Sequence, residues 1–224
     1  MMRDSFDLLR ALKKAGYLQT LRDPLWWPHS GTEKVLIGAI LTQQSKWEKV
    51  ELSLENLAKI ECDTIETLAT APLETIKEAI LPSGFYNMKS RYLQSLSRNI
   101  LSKYGNFDTF CRKTDREWLL SQKGIGMESA DAILCYGAYR PVMVVDSYTK
   151  RLVSALGYEE RSYMKLQQWL QEGIDAHNEE IEQLYGRAIS RHELFARFHG
   201  KIVEFCKEHI RRPETIPSLL QLHE

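Results

Sequence analysis

The sequence predicts an all-α protein. Apolar residues recur at helical spacing in most segments, and the alternating pattern of a half-buried strand is scarce. Typical helix-start residues precede these segments and glycines follow several of them. With 224 residues and 43% hydrophobic composition, the chain is long enough to bury one or two cores.

The first half contains four helix signals in order. Ser30 to Glu33 has the spacing of a capping box and precedes the apolar run VLIGAILTQQ. Pro72 predicts the start of the helix LETIKEAIL. The segment 88–103 is amphipathic and ends near Gly105, and Thr114 to Glu117 forms a second capping-box pattern before REWLLSQ.

The pattern then changes at Gly124-Ile-Gly126, which predicts a break between two helices. The second of these helices is expected from Glu128 to about Ala138. The β-branched run 142–146 predicts either a short buried strand or the lead-in to a helix that starts near Asp146.

Charge is balanced overall, with 30 basic and 30 acidic residues, so a globally basic nucleic-acid binder is not indicated. The distribution is uneven: residues 84–123 carry eight bases against three acids, a net +5, between acidic flanks at 51–80 and 158–182. Such a segment predicts a phosphate-binding face or, alternatively, ordinary solvated helix surfaces.

The four cysteines lie far apart and form no C-x-x-C pair, so neither a zinc ribbon nor an iron–sulfur motif is visible. The charged N-terminal stretch lacks the apolar core of a signal peptide, and no apolar run approaches the ~18 residues of a membrane span. We therefore expect reduced thiols, a cytoplasmic protein and no membrane partner.

Two features mark candidate functional positions. The amides around Gly124 and Gly126, at the start of a helix, would suit a phosphate, although G-x-G turns between helices are common. Asp146 follows an apolar run that would place it at a cleft wall, and it is also a good N-cap for SYTKRLVSAL. The two roles of Asp146 are compatible.

These motifs resemble those of one enzyme family. The G-I-G turn followed by VMVVDSYTKRL is similar to the helix-hairpin-helix motif and downstream aspartate of the endonuclease III superfamily of base-excision glycosylases. Segments 40–50 and 83–93 resemble its glutamine-bearing turn and its "G-F-Y-N-x-K" loop. The double tryptophan before Pro28 and the segment 198–205 resemble the 3-methyladenine DNA glycosylase III type.

The resemblance implies a fold and a set of site residues. It implies a six-helix domain at 29–138 with the hairpin, a second helical domain formed by 1–28 and 139–224, and a DNA-binding cleft between them. Asp146 would be the catalytic carboxylate. The implied base pocket comprises Trp26, Trp27, Pro28, Trp47 and Lys207, and the implied DNA contacts are Gln44 as plug, Phe85 as wedge, and Lys123, Gly124 and Gly126 on phosphate. A core aromatic is the alternative for Phe85.

The sequence departs from the family pattern at two places. Glu128 stands where bifunctional members carry a catalytic lysine, and a carboxylate cannot form a Schiff base. The C-terminal third has only Cys206, so the resemblance implies no iron–sulfur cluster and no cofactor. Lys201, in the apolar stretch FHGKIVEFC, is either a snorkelling or salt-bridged lysine or a buried amine open to carbamylation.

The function that follows is a monofunctional glycosylase. We expect it to flip alkylated purines, 3-methyladenine above all, out of double-stranded DNA in bacterial base excision repair, near the nucleoid and without an obligatory protein partner. The alternatives are a bifunctional glycosylase and lyase for oxidised pyrimidines, and a non-catalytic helix-hairpin-helix DNA-binding module.

Overall fold

The structure, a computed structural model, describes residues 4–18, 25–159 and 162–220. All regular elements in these ranges are helical, which confirms the all-α prediction. Two 3₁₀ turns, at Leu81–Ser83 and Pro213–Thr215, and a π-helical turn at Ile133–Gly137 interrupt the series. The α-helices are α1 Ser5–Lys14, α2 Glu33–Leu41, α3 Trp47–Lys59, α4 Ile65–Thr70, α5 Leu73–Ile80, α6 Tyr86–Tyr104, α7 Phe107–Lys113, α8 Arg116–Leu120, α9 Met127–Ala132, α10 Ser147–Ala155, α11 Tyr163–Asp175, α12 Asn178–Tyr185, α13 Arg191–His209 and α14 Ile216–Leu219.

The chain divides into two compact units. One is His29–Arg140, and the other combines Met1–Pro28 with Pro141–Glu224. No helix in the described ranges has both the length and the apolar character needed to cross a membrane.

The unit His29–Arg140 is built around α2. Every residue from Val35 to Leu41 is buried, because the apolar run continues around the whole helix rather than along one stripe. The long amphipathic α6 packs against α4 and α5 through its apolar face and ends at Gly105, whose φ of 80° suits a glycine C-cap. The unit holds α2 to α9, of which α4, α7, α8 and α9 have only five to seven residues.

Both capping boxes predicted in this unit are wrong, because each helix is capped by a different residue from the predicted one. Thr32, not Ser30, caps α2, and Glu33 instead accepts a hydrogen bond from the Ile65 amide at 2.7 Å, tying α2 to α4. Asp115, not Thr114, caps α8 by accepting from the Trp118 amide at 2.7 Å. In each case a neighbouring residue with a suitable side chain occupies the cap position.

The basic segment 84–123 is less available to phosphate than its charge count predicts. Lys89 is buried and donates to the carbonyls of Leu41 and Ser83, both at 2.8 Å. Burial lowers the pKa of Lys89 to about 8. Arg116 pairs with buried Asp131. These two bases are therefore engaged inside the fold and are not available to phosphate.

The second unit has its own core, in which α1 packs against α11 and α13, and α10 packs against α13. The Ser5 hydroxyl donates to the Leu170 carbonyl at 2.7 Å, and a side chain at Gly173 would collide with the Ser5 backbone. The run 142–146 is a buried lead-in to α10 and not a strand. Its end fixes the position of Asp146.

Candidate active site

Asp146 is the N-cap of α10. Its Oδ1 accepts two hydrogen bonds from Thr149, one from the amide at 2.7 Å and one from the hydroxyl at 2.8 Å. The three residues before it, Met143, Val144 and Val145, are buried, and the Asp146 side chain is 13% exposed. The second oxygen, Oδ2, is therefore the one that remains for other partners.

His199 from α13 approaches that second oxygen. Its Nε2 lies 3.6 Å from Asp146 Oδ2, an ion-pair distance when the imidazole is protonated, and the ring is buried. Burial by itself raises the pKa of Asp146, but the neighbouring His199 and the two Thr149 donors outweigh it and hold this pKa below its usual range. The carboxylate is thus ionised at neutral pH although it is largely enclosed.

The Trp26 side chain packs against the same helix, α13. Its ring meets His199 edge-on at 5.2 Å between centroids, and its indole N–H donates to Glu204 Oε1 at 2.8 Å. Gly200 allows Trp26 to pack this close to the helix, since a Cβ there would lie 2.5 Å from Trp26 Cγ. Trp26 has φ of 80°, a left-handed conformation that is costly for a bulky residue and is maintained only when surrounding contacts fix it.

Lys207 completes this cluster. Its ammonium binds Glu204 Oε1 at 2.8 Å and lies 5.8 Å from the centroid of the Trp26 ring. The Trp26 ring thus already attracts one cation, and a carboxylate lies next to it. Trp27 is buried and Trp26 and Pro28 are half-buried, so of the two adjacent tryptophans Trp26 is the more accessible.

The structure brings Asp146, Trp26, Trp27, Pro28 and Lys207 into one unit. Trp47, the other predicted pocket residue, lies in the unit His29–Arg140, half-buried at the first position of α3.

The helix-hairpin-helix turn links α8 and α9. Gly124 has φ of 87°, and a Cβ there would lie 2.3 Å from Tyr92 Cδ2, so the turn itself requires this glycine. Gly126 is exposed, adopts an extended conformation that any residue can take, and has open space around the position of a Cβ. Nothing in the described fold explains the absence of a side chain at Gly126, whereas close approach by another molecule would.

One expectation about this turn needs correction. The amide of Ile125 does not point outward but donates to the Gln122 carbonyl at 3.1 Å, which leaves the predicted phosphate contacts to the flanking amides. Lys123 is exposed beside the turn.

The predicted plug and wedge are both exposed and both have left-handed backbones. Gln44 has φ of 52° and Phe85 has φ of 48°, with Phe85 58% exposed. The alternative of a core aromatic for Phe85 is therefore wrong. Strained, exposed, non-glycine positions of this kind cluster at functional sites.

Gln43 was not identified from the sequence as a site residue, but in the structure its side chain has two hydrogen-bond partners. Its side-chain amide donates to the Gly124 carbonyl at 2.8 Å and to Ser129 Oγ at 3.0 Å, joining the end of α2 to the hairpin. His199, Gly200 and Glu204 were also not assigned roles. Their only sequence signal was proximity to Lys201 and Lys207 on one predicted helix.

Lys201 is buried in α13, where its ammonium donates to the Tyr17 carbonyl. Burial, followed by the positive charges of Arg197 and Lys13, lowers its pKa to about 8. Among the described residues, the acceptor of this amine is a backbone carbonyl and no carboxylate pairs with it, which argues against the salt-bridged alternative.

The residues do not fit an iron–sulfur cluster. The four cysteines are free thiols, and Cys206 is buried with its thiol directed at the Tyr148 carbonyl at 3.6 Å. Within the described ranges, no group of three or more His, Cys, Asp or Glu side chains is arranged to hold a metal ion.

Comparison with known proteins identifies the family. A profile described as "HhH-GPD superfamily base excision DNA repair protein" matches residues 37–176. The crystal structure of H. pylori 3-methyladenine DNA glycosylase (MagIII) bound to 1,N6-ethenoadenine is 43% identical, with a TM-score of 0.88, covering 92% of this chain and 98% of that one.

Two further comparisons agree. A putative DNA repair glycosylase from Methanocaldococcus jannaschii is 35% identical over 198 residues, covering 84% of this chain and 82% of its own length. A non-covalent endonuclease III–DNA complex shares the fold, at 19% identity and a TM-score of 0.65, covering 93% of this chain and 88% of that one. The chain therefore belongs to the HhH-GPD superfamily of base-excision DNA repair proteins and is a DNA glycosylase.

Proposed function

We propose that this glycosylase releases positively charged alkylated purines, 3-methyladenine above all, from double-stranded DNA by simple hydrolysis. The observation that supports the proposal most directly is the pair of charged neighbours of the Trp26 ring. Its ring face already attracts the Lys207 ammonium, and its indole N–H is bound to the Glu204 carboxylate. Such a ring favours a flat, electron-poor cation over a saturated, hydroxylated base.

The chemistry needs little beyond Asp146. A glycosylase must stabilise positive charge on the sugar as the base leaves, and an ionised carboxylate in a largely enclosed position does this well. N3-alkylated adenine carries a positive charge and departs without a strong general acid. A single carboxylate is therefore matched to a cationic leaving group.

Glu128 supports the monofunctional assignment. It lies exposed in the first turn of α9, and its carboxylate cannot form the covalent intermediate of a lyase. The relative of known structure is named a 3-methyladenine DNA glycosylase, and 1,N6-ethenoadenine is bound to it. Both bases are purines modified by added carbon, and of the two only 3-methyladenine carries the positive charge on which the proposal rests.

The test is chromatography of the bases released from methylated duplex DNA. We expect 3-methyladenine from the wild-type protein and little of it from Asp146→Asn, with no borohydride-trapped protein–DNA adduct. Duplexes containing thymine glycol or 8-oxoguanine serve as controls and should remain almost intact. Release of oxidised pyrimidines, or an efficient borohydride-trapped adduct, would overturn the proposal in favour of the bifunctional alternative. Iron analysis of the same preparation should find none in stoichiometric amount.

A further inference from the structure

We propose that His199 is a positioning residue for Asp146, holding the Oδ2 side of the carboxylate ionised and aimed while Thr149 holds Oδ1. The inference rests on the proposed role of Asp146 and adds a residue that acts through it. The inference is argued from the geometry of α10, α13 and Trp26.

The first step is that Asp146 needs a second anchor. Both Thr149 donors meet Oδ1, so neither of them contacts Oδ2. Nε2 of His199 is 3.6 Å from Oδ2, within ion-pair range but longer than a hydrogen bond. The two oxygens thus have different neighbours, and a neighbour at each oxygen restrains the orientation of the carboxylate, as positioning in an active site requires.

The second step is that His199 is itself held in place. The imidazole is 2% exposed, on the long helix α13, and the edge-on Trp26 ring packs against it. Gly200, the next residue, admits Trp26 to this position. The histidine thus contacts the proposed base-binding ring on one side and the catalytic carboxylate on the other.

The third step concerns charge. Around Asp146, the titratable groups that the structure describes are His199 and Cys206 from α13, while Thr149 contributes only dipoles. Burial, together with Asp146, raises the pKa of Cys206 to about 12, so it remains a neutral thiol in the working range; Arg151 acts on Cys206 in the opposite sense. Lys201 on the same helix is directed at the Tyr17 carbonyl. His199 is therefore the ionisable group that, together with the two Thr149 donors, opposes the cost of burying the carboxylate charge.

The experiment compares wild type, His199→Leu and His199→Gln in single-turnover release of 3-methyladenine between pH 5 and 8. Leucine removes the ring nitrogen altogether, and glutamine restores a neutral donor. We expect the Leu variant to lose roughly tenfold to a hundredfold in rate at pH 7.5, the scale of a misplaced catalytic group. We also expect the ratio of the Leu-variant rate to the wild-type rate to fall as pH decreases. Without His199, burial of Asp146 is less opposed, so its carboxyl is protonated at higher pH in the variant than in wild type. Gln should recover part of the rate.

A second readout does not depend on activity. Titration of the Asp146 carboxyl by NMR on aspartate-labelled protein should show protonation at higher pH in the Leu variant than in wild type. Affinity for duplex with an abasic-site analogue should be unchanged. A rate ratio that is the same at every pH, or an unmoved carboxyl titration, would overturn the role of His199. Absence of 3-methyladenine release from wild type would instead overturn the proposed substrate, and the titration would still decide about His199. If the Leu variant does not fold, the Gln variant is compared in the same two measurements.

Discussion

Thr149 donates its backbone N–H and its hydroxyl to the same oxygen of Asp146, at 2.7 and 2.8 Å. The N-cap of α10 and the candidate catalytic carboxylate are therefore one group, in which Oδ1 caps the helix and Oδ2 lies towards His199. Structural and catalytic roles can be separated experimentally, because asparagine retains the capping oxygen and loses the charge.

Asp146→Asn is expected to fold and to bind DNA like wild type while losing most base release. Electrostatic stabilisation by one group is worth ~2–4 kcal/mol in the transition state, a loss of about thirty- to a thousandfold. Thermal unfolding checks the fold, single-turnover release of 3-methyladenine checks the chemistry, and affinity for an undamaged duplex checks binding. Excision by this variant at near wild-type rate would remove Asp146 from its catalytic role.

The two hairpin glycines should respond to substitution in opposite ways. Gly126→Val adds a side chain into open space, so stability should hardly change, but close approach of a phosphate is blocked and DNA affinity should fall similarly for all sequences. Gly124→Ala strains a backbone at φ of 87° and collides with Tyr92, so it should lower the melting temperature. Gel-shift and thermal measurements on both variants check this pair. Unchanged non-specific affinity in the Gly126 variant would show that the hairpin does not contact DNA.

The helices and the position of Asp146 were predictable from sequence because they depend on local signals. Helical periodicity, the glycine pair and the aspartate before SYTKRL act within one or two turns of chain. The cap registers at Thr32 and Asp115 were missed because several adjacent residues can cap, and only packing selects one. The burial of Lys89 was missed for the same reason: its two carbonyl partners come from other segments.

The site around Trp26 could not be predicted in detail. His199, Gly200, Glu204 and Lys207 lie on one helix, but their roles appear only when a tryptophan about 175 residues earlier in the sequence packs on that helix. In the sequence alone, a glycine within a helix indicates only weak helix propensity. In the structure, the absence of a side chain at Gly200 leaves the space in which Trp26 packs. Long-range contacts of this type carry no sequence periodicity.

Lys201 gives a prediction about stability and pH. Its pKa of about 8 in the folded protein is below the ordinary lysine value, so the unfolded chain binds the proton more tightly. Stability is therefore penalised below about pH 8, and the penalty is relieved as pH rises from there toward the ordinary lysine pKa. Relative to Lys201→Met, wild type should gain stability over this interval, as measured by urea unfolding at several pH values. A constant difference would contradict the lowered pKa.

The same amine is the site where we expect carbamylation, since its neutral form can add CO₂ with release of a proton. Native mass spectrometry in bicarbonate, with Lys201→Met as the control, would detect the added CO₂. Absence of any adduct on wild type under these conditions would leave Lys201 as an unmodified buried lysine.

The last prediction concerns the preference for charged bases. Glu204 accepts the Trp26 N–H at 2.8 Å and also binds Lys207, which places a carboxylate beside the ring that would stack on the base. Glu204→Gln keeps an acceptor of the same shape but removes the negative charge. It should lower the excision of cationic 3-methyladenine relative to neutral 1,N6-ethenoadenine, by about twofold to thirtyfold if the full cation–π contribution of ~0.5–2 kcal/mol is affected. Lys207→Met removes the competing cation from the Trp26 ring and should shift the ratio the other way. Single-turnover rates on the two lesions, or duplex affinities where a rate is too slow, give the ratio for each variant. A ratio that moves in the same direction in both variants, or in neither, would show that charge around Trp26 does not select the base.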